Sequence, residues 1–397
     1  MDTAGRDIRF DFLRFPLIAL VVYIHANPVP ITLADAVDDP VQAGFLVDFV
    51  RRYISQGLGS IAVPLFFIMS GCLFFRDGQI GGWFYARKIV SRIRSLLIPM
   101  VFWNLAVLAA LFIALHEPMT AALVSGSNGD VFLSWSSMVD AVLGLTGSPI
   151  VCQFWFIRDL LILVLVSPGL YWLARATHGF TLLALVIIWM LDVHLIGMPS
   201  VTSVLFFYIG ALFGIFGVSP FPTHRRACQF VWPYLLLMLI MTAMPGGLWK
   251  WFLNCMGVGA GLIAAFALSG HVLATDRLQA ILIKLSSASF FVFAAHEPLL
   301  TIVLKLTHYL IGPMDDATLL ALYFIIPAIV ITIALICFYS LRAIAPGFVA
   351  VITGDRGRVI DNMASKPQGS ARRPEEIRFP AVGLPDDRSG APRESRP

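Results

Sequence analysis

The chain is poor in charge. Asp, Glu, Lys and Arg make up 13% of its 397 residues, against 58% hydrophobic. With a mean hydropathy of +0.83, that scarcity excludes a soluble globular protein. Period-two alternation broken by turn residues about every ten positions is also missing, which excludes a transmembrane barrel. Cysteine is sparse: Cys72, Cys152, Cys228, Cys255 and Cys337 are scattered, odd in number and without ligand spacing. They read as small apolar filler rather than disulfides or metal ligands. No G-x-G-x-x-G, P-loop or Cys/His metal motif occurs, so no bound cofactor, no metal and no nucleic-acid partner is expected. No internal repeat is visible, which weakens an inverted-repeat transporter.

What the chain has instead is apolar runs of about twenty residues, the length a helix needs to cross hydrocarbon. Ten spans are expected, near 9–27, 58–76, 94–115, 154–174, 180–198, 201–218, 230–245, 251–270, 286–306 and 318–344. The fold class is therefore an all-α polytopic membrane protein. An even number of spans puts both termini on one side. Arg6, Arg9, Arg76, Arg87, Lys88, Arg92, Arg94, Arg175, Arg225, Arg226, Arg277 and Lys284 fall on that side, and only Arg51, Arg52, Lys250 and Lys305 on the other. By the positive-inside rule both termini are cytoplasmic. The first span is expected to be retained, because Asp11 and Arg14 interrupt it and no small-x-small cleavage site follows.

Two long outer connections, 28–57 and 116–153, could cap a site facing the exterior; the second contains no Lys or Arg. The span domain is expected over 1–346. From 347 to 397 the composition turns polar and rich in Pro, Gly and Arg, too poor in apolar residues for a core, so this is expected to be a disordered cytoplasmic tail. Its arginines have a possible attraction to anionic membrane lipid.

Ionisable residues inside a bilayer are costly, so each is a candidate for function, with interhelical pairing as the standing alternative. Arg14 and His25 lie eleven residues apart, about three turns, which puts them on one helix face about 16 Å apart along the axis. Asp11 is spaced to pair with Arg14. Ser70 on the second span and Arg92 and Arg94 at the start of the third lie near the cytoplasmic side. With Arg14 they form a cationic mouth suited to phosphates. Arg158 and Asp159 open the fourth span and are expected to meet different neighbours, since adjacent helical residues diverge by about 100°. Asp192 with His194, and His296 with Glu297, are further candidates.

These stretches resemble the acyltransferase 3 family of integral-membrane acyltransferases over roughly residues 6–344. The first helix, with Asp11-Phe12-Leu13-Arg14 and His25, is similar to its arginine/histidine signature. So are Pro64 to Gly71, Arg92-Ile93-Arg94 before Leu97-Ile98-Pro99, Phe154 to Leu160, and Phe293 to Pro298; the last two resemble the branch that O-acetylates surface polysaccharides. The arginines before the third-helix proline stand two apart, where many members have them three apart. The resemblance implies transfer of an acyl group, usually acetyl, from cytoplasmic acyl-CoA as co-substrate to a hydroxyl of an extracytoplasmic or membrane-embedded glycan or lipid, in the multi-pass inner membrane of a bacterium. Arg14, with Arg92 or Arg94 and Ser70, would hold acyl-CoA. His25 would act as general base or as an acylated nucleophile, Arg158 as oxyanion donor, and Asp159 or Asp192 as its orienting carboxylate. A proton-coupled transporter, or a scaffold in which the charges are mere ties, are the rival readings.

Overall fold

The computed structural model describes residues 8–26, 43–77, 82–117, 120, 129–177, 179–193, 199–221, 229–244, 246–272 and 275–354. Elements are α1 Ile8–His25, α2 Phe45–Arg52, α3 Ala62–Phe75, α4 Gly82–His116, α5 Trp135–Leu143, α6 Trp155–Leu165, α7 Ser167–Ala176, α8 Phe180–Met190, α9 Val201–Ile215, α10 Val231–Ala243, α11 Leu248–Val272, α12 Asp276–Ile311, α13 Asp316–Ile344 and α14 Pro346–Thr353. No strand occurs among the described residues. A helix is what the sequence must form here, because hydrocarbon offers no partner to backbone N–H and C=O groups and only a helix satisfies them within one segment.

A helix stands at each of the ten expected positions. Five stretches, 45–75, 85–116, 248–270, 276–311 and 316–344, are long and apolar enough to cross a bilayer. The α6–α7 pair makes a sixth if it is counted as one bent span. α1 is 18 residues long and carries Arg9, Asp11 and Arg14, whereas α8, α9 and α10 have 11, 15 and 13 residues.

Several expectations are corrected. The second span begins earlier than 58: α2 runs through a π-helical turn (Tyr53–Gly57) and a 3-10 turn (Leu58–Ile61) into α3, so the later part of the 28–57 connection is helix. Residues 27–42 lie outside the described residues. The basic residues before position 94 are likewise helical rather than loop, on the long N-terminal extension of α4, where Arg and Lys are good helix formers. Residues 346–353 form α14, which packs against α4 and α13; residues 355–397, the rest of the expected tail, lie outside the described residues. The second outer connection contains α5, fixed by Asn104 of α4. Its Nδ2 donates to Val142 O (2.8 Å) and its Oδ1 accepts from Val151 N (3.1 Å).

The expected fourth span is broken, with a 63° bend between α6 and α7. Pro168 has no N–H, so the carbonyl four residues earlier, Val164, loses its helical partner. Ser167 Oγ (2.6 Å) and Tyr85 OH (3.4 Å) donate to that oxygen instead. The same repair recurs in α12. Pro298 frees the carbonyl of Ala294, and Gln153 Nε2 donates to Ala294 O (3.4 Å) and to Phe293 O (3.2 Å). Gln153 is 2% exposed, so this amide ties the start of α6 to the middle of α12.

α3 and α9 pack closely through small residues. A Cβ at Gly210 would stand 2.1 Å from Ile68 O, and one at Gly71 would stand 2.2 Å from Phe207 O. Both obstacles are backbone, so the helices touch only because the side chains are absent. Gly210→Leu is therefore expected to lower the yield of folded protein in membranes and its thermal midpoint in detergent, whereas Gly259→Leu, at a position with open space around it, leaves both near wild type. Gln153→Leu is expected to cost about 1–3 kcal/mol through a stranded buried carbonyl. That cost should shrink in a Pro298→Ala background, where the restored N–H serves Ala294. Equal costs in both backgrounds, measured as thermal midpoints, would mean that Gln153 acts otherwise.

Candidate active site

Two adjoining cavities open from the end of the bundle where α1 begins and α14 finishes. The outer one, about 900 Å³, is lined by Arg87, Lys88, Arg92 and Arg94 of α4, with Asp77 as the one carboxylate among the described residues of its wall. Lys88 Nζ meets Asp77 Oδ2 at 3.0 Å. A wall with four cations and one acid attracts anions, and guanidinium forks suit phosphate oxygens. The inner cavity, about 310 Å³, is lined by Arg14 and Ile18 of α1, Phe66, Met69 and Ser70 of α3, Arg92 and Ser95 of α4, Phe156 of α6, and Ser286, Ser289, Phe290 and Phe293 of α12. Leu73, Arg92, Ser95 and Gly354 belong to both walls.

Arg14 pairs with buried Asp11 at 2.8 Å, as the spacing predicts. Arg92 and Arg14 line the same inner cavity, and two like charges on one wall favour an anion between them. Ser70 does line the inner chamber, beside Arg14. Arg94 lines only the outer vestibule, so of Arg92 and Arg94 it is Arg92 that both cavities share.

At the other end of α1 stands a juxtaposition of two imidazoles. The rings of His25 and His296 are 5.3 Å apart between centroids, tilted by 54°. His296 is fully buried. Its Nδ1 lies 2.7 Å from Phe293 O; a carbonyl only accepts, so Nδ1 carries the proton and Nε2 presents a lone pair. Nε2 is buried without a hydrogen-bond partner among the described residues. Phe293 joins this end to the chamber, since it lines the cavity and sits 6.1 Å from the His296 ring. α1 and α12 thus run in parallel, Arg14 near Ser286 at one end and His25 near His296 at the other. The two intervals are about 16 and 15 Å of helix rise. Glu297, the next residue, hydrogen-bonds Thr301.

Arg158 and Asp159 are built into something else. Arg158 donates to Gly144 O at 2.9 Å, to Gly147 O, and to Asp159 Oδ1 at 3.0 and 3.2 Å. The adjacent pair therefore does meet, contrary to the divergence expected from helix geometry, because the long guanidinium stem curls back over its neighbour. Asp159 Oδ2 accepts from Ser200 N (2.9 Å) and Ser203 Oγ (2.7 Å) at the N-terminus of α9. The pair clamps the 144–147 turn, α6 and α9, and none of its hydrogen bonds among the described residues goes to His25. Asp192 sits exposed in a left-handed turn (φ 53°) at the end of α8; His194 lies outside the described residues.

Several residues at the site were not picked out by sequence. Gln153 was hidden by its place at the edge of a span, although a buried amide four residues after Pro149 and one before an aromatic run was the available signal. Ser286 and Ser289 offer no sequence signal beyond that of small polar residues at the edge of an apolar run, and Arg87 and Lys88 read as topology signals alone. The four described cysteines are free thiols, Cys72 and Cys255 buried, and no group of metal ligands occurs among the described residues.

No solved structure matches the chain. It is 27% identical over 384 residues to Succinoglycan biosynthesis protein ExoH of Rhizobium meliloti (strain 1021), an alignment covering 92% of this chain and 97% of that protein. The family described as "Acyltransferase domain" matches residues 7–341, a stretch that contains α1 with Arg14 and His25, both cavity walls of α4, and the His296 segment of α12. This chain is a multi-pass membrane protein of the acyltransferase 3 family.

Proposed function

We propose that this membrane acyltransferase takes an acyl group, acetyl in the first instance, from cytoplasmic acyl-CoA and passes it to a hydroxyl of an extracytoplasmic or membrane-embedded glycan or lipid, in a bacterial plasma membrane. The observation that carries the reading is the alignment of one helix with three features: cationic cavity, apolar chamber, imidazole pair. The CoA phosphates enter at Arg87, Lys88, Arg92 and Arg94. The pantetheine arm extends along α1 past Arg14 and Ile18, and the thioester arrives beside His25. A glycan acceptor is favoured because the relative is named for the biosynthesis of succinoglycan.

A hydroxyl is a weak nucleophile at neutral pH and needs a base near the operating pH. His25 takes the proton of the acceptor hydroxyl as its oxygen attacks the thioester carbonyl carbon. The C–S bond then breaks, the ester forms, and the proton passes from His25 to the departing thiolate, giving free CoA–SH. His296 is a positioning residue in this scheme. Its Nε2 lone pair has no partner among the described residues and its ring stands 5.3 Å from that of His25, so a small shift lets it accept a hydrogen from the imidazolium or fix which nitrogen of His25 is protonated. Arg158 and Asp159 hold the wall around the site, with their hydrogen bonds committed to Gly144, Gly147, Ser200 and Ser203.

His25→Ala is expected to lower the turnover of acyl transfer by at least about a hundredfold with the protein still folded in the membrane; near-normal product would sink the mechanism. Arg14→Ala should act mainly on the KM for acyl-CoA, and the reverse partition between the two variants would invert the proposed depths. Inverted membrane vesicles supplied with acyl-labelled CoA separate the enzyme from the transporter reading. Label in glycan or lipid supports transfer, while solute uptake without covalent label supports transport.

A further inference from the structure

The chamber side of α12 follows the helical repeat as Ser286, Phe290 and Phe293, and leads to His296. Among its serines, Ser287 folds its hydroxyl onto Lys284 O (2.7 Å) and Ser289 reaches Leu285 O at 3.5 Å. These back-bonds are the usual resting place of a serine in an apolar helix. Ser286 departs from the pattern. It is 5% exposed, its Oγ is buried without a hydrogen-bond partner among the described residues, and it lines the chamber that Arg14 and Arg92 also line. A buried hydroxyl without a partner is unfavourable in the empty protein and becomes favourable when an occupant supplies one.

The chemistry of that occupant follows from the walls. Phe66, Met69, Phe156, Phe290 and Phe293 form the apolar part of the chamber wall, so an amide drawn along them gives up water contacts and gains from a protein partner. We propose that Ser286 is that partner, binding the amide of the donor's pantetheine arm that lies farther from the sulfur. This inference rests on the acyl-CoA reading above. The choice between the two amides comes from helix rise: Ser286 precedes His296 by ten residues, about 15 Å, so with the thioester at His25 the sulfur-proximal amide lies too close to the histidines to meet Ser286. The interaction sets donor affinity and reach rather than chemistry.

Three thioester donors test it in inverted vesicles containing the full-length protein and its native acceptor, each in acetyl and succinyl form: the CoA thioester, the pantetheine thioester, which lacks the nucleotide, and the N-acetylcysteamine thioester, which keeps only the sulfur-proximal amide. Ser286→Ala is expected to raise KM about 5–10-fold for the first two donors, to leave kcat within about twofold, and to leave the short donor unchanged. Ser286→Thr, which keeps the hydroxyl, should retain the wild-type KM. An unchanged KM in Ser286→Ala, or an equal loss with all three donors, overturns the assignment, the latter marking a structural role. A loss in kcat alone overturns it too. Wild-type protein that uses none of the donors overturns the acyl-CoA reading itself, and this inference with it; Arg92→Ala, which should weaken use of the CoA thioester but not of the pantetheine thioester, checks that reading separately.

Discussion

The organising constraint of this protein is that a polar group taken into hydrocarbon has to find its partner inside the same chain. Prolines make the constraint visible. Pro168 and Pro298 each strand a carbonyl, at Val164 and Ala294, and in each case a side chain from elsewhere supplies the hydrogen: Ser167 and Tyr85 for one, Gln153 for the other. The first repair permits a 63° bend; the second leaves α12 continuous and locks it to the start of α6. Because Gln153 acts within three residues of His296, the same hydrogen bonds that stabilise the bundle also fix the height and rotation of the imidazole.

That fixing matters because the two histidines come from helices far apart in sequence and meet at 5.3 Å. Neither helix is held by the other alone. α1 is tied at its histidine end by Ser55 Oγ, which donates to Tyr23 O (2.6 Å) and pairs with Tyr323 OH (2.8 Å), so the π-helical turn after α2, α13 and α1 converge there. At the opposite end Gly354, with φ +67°, lies so close to α4 that a Cβ would stand 2.2 Å from Ser95 O. The chain's last described turn therefore closes the cavity wall that Arg14 opens on the other side.

The same-face placement of Arg14 and His25 was legible in the sequence because it depends only on helix periodicity, and periodicity survives any tertiary arrangement. The Asp11–Arg14 pair was legible for the same reason. Arg158 and Asp159 were legible as important but not as a clamp. Their partners are backbone atoms of Gly144, Gly147 and Ser200, and a backbone atom carries no residue-type signal. The start of the second span was misjudged because α2 holds Asp48, Arg51 and Arg52, which look like a solvated loop. In the structure they neutralise each other on one helix face, Asp48 pairing with Arg51 at 2.7 Å and with Arg52. His296 carried a signal of its own, but its contact with His25 is a product of packing and could not be read from spacing within α12.

Parallel packing of α1 and α12 has a consequence for vectorial chemistry. Two helices running in the same direction, with cations and serine at one end and histidines at the other, give the bundle one polarity rather than a symmetric site. Arg87, Lys88, Arg92 and Arg94 line the cavity at the end where α1 begins, and the two imidazoles stand at the other end of α1. On the proposed reading, transfer in the reverse sense would require a phosphate to bind beside two imidazoles and a hydroxyl to be activated among guanidinium groups, neither of which those residues favour. On that reading, the sidedness of transfer follows from the order of residues along α1, with Arg14 toward the cationic cavity and His25 beside His296.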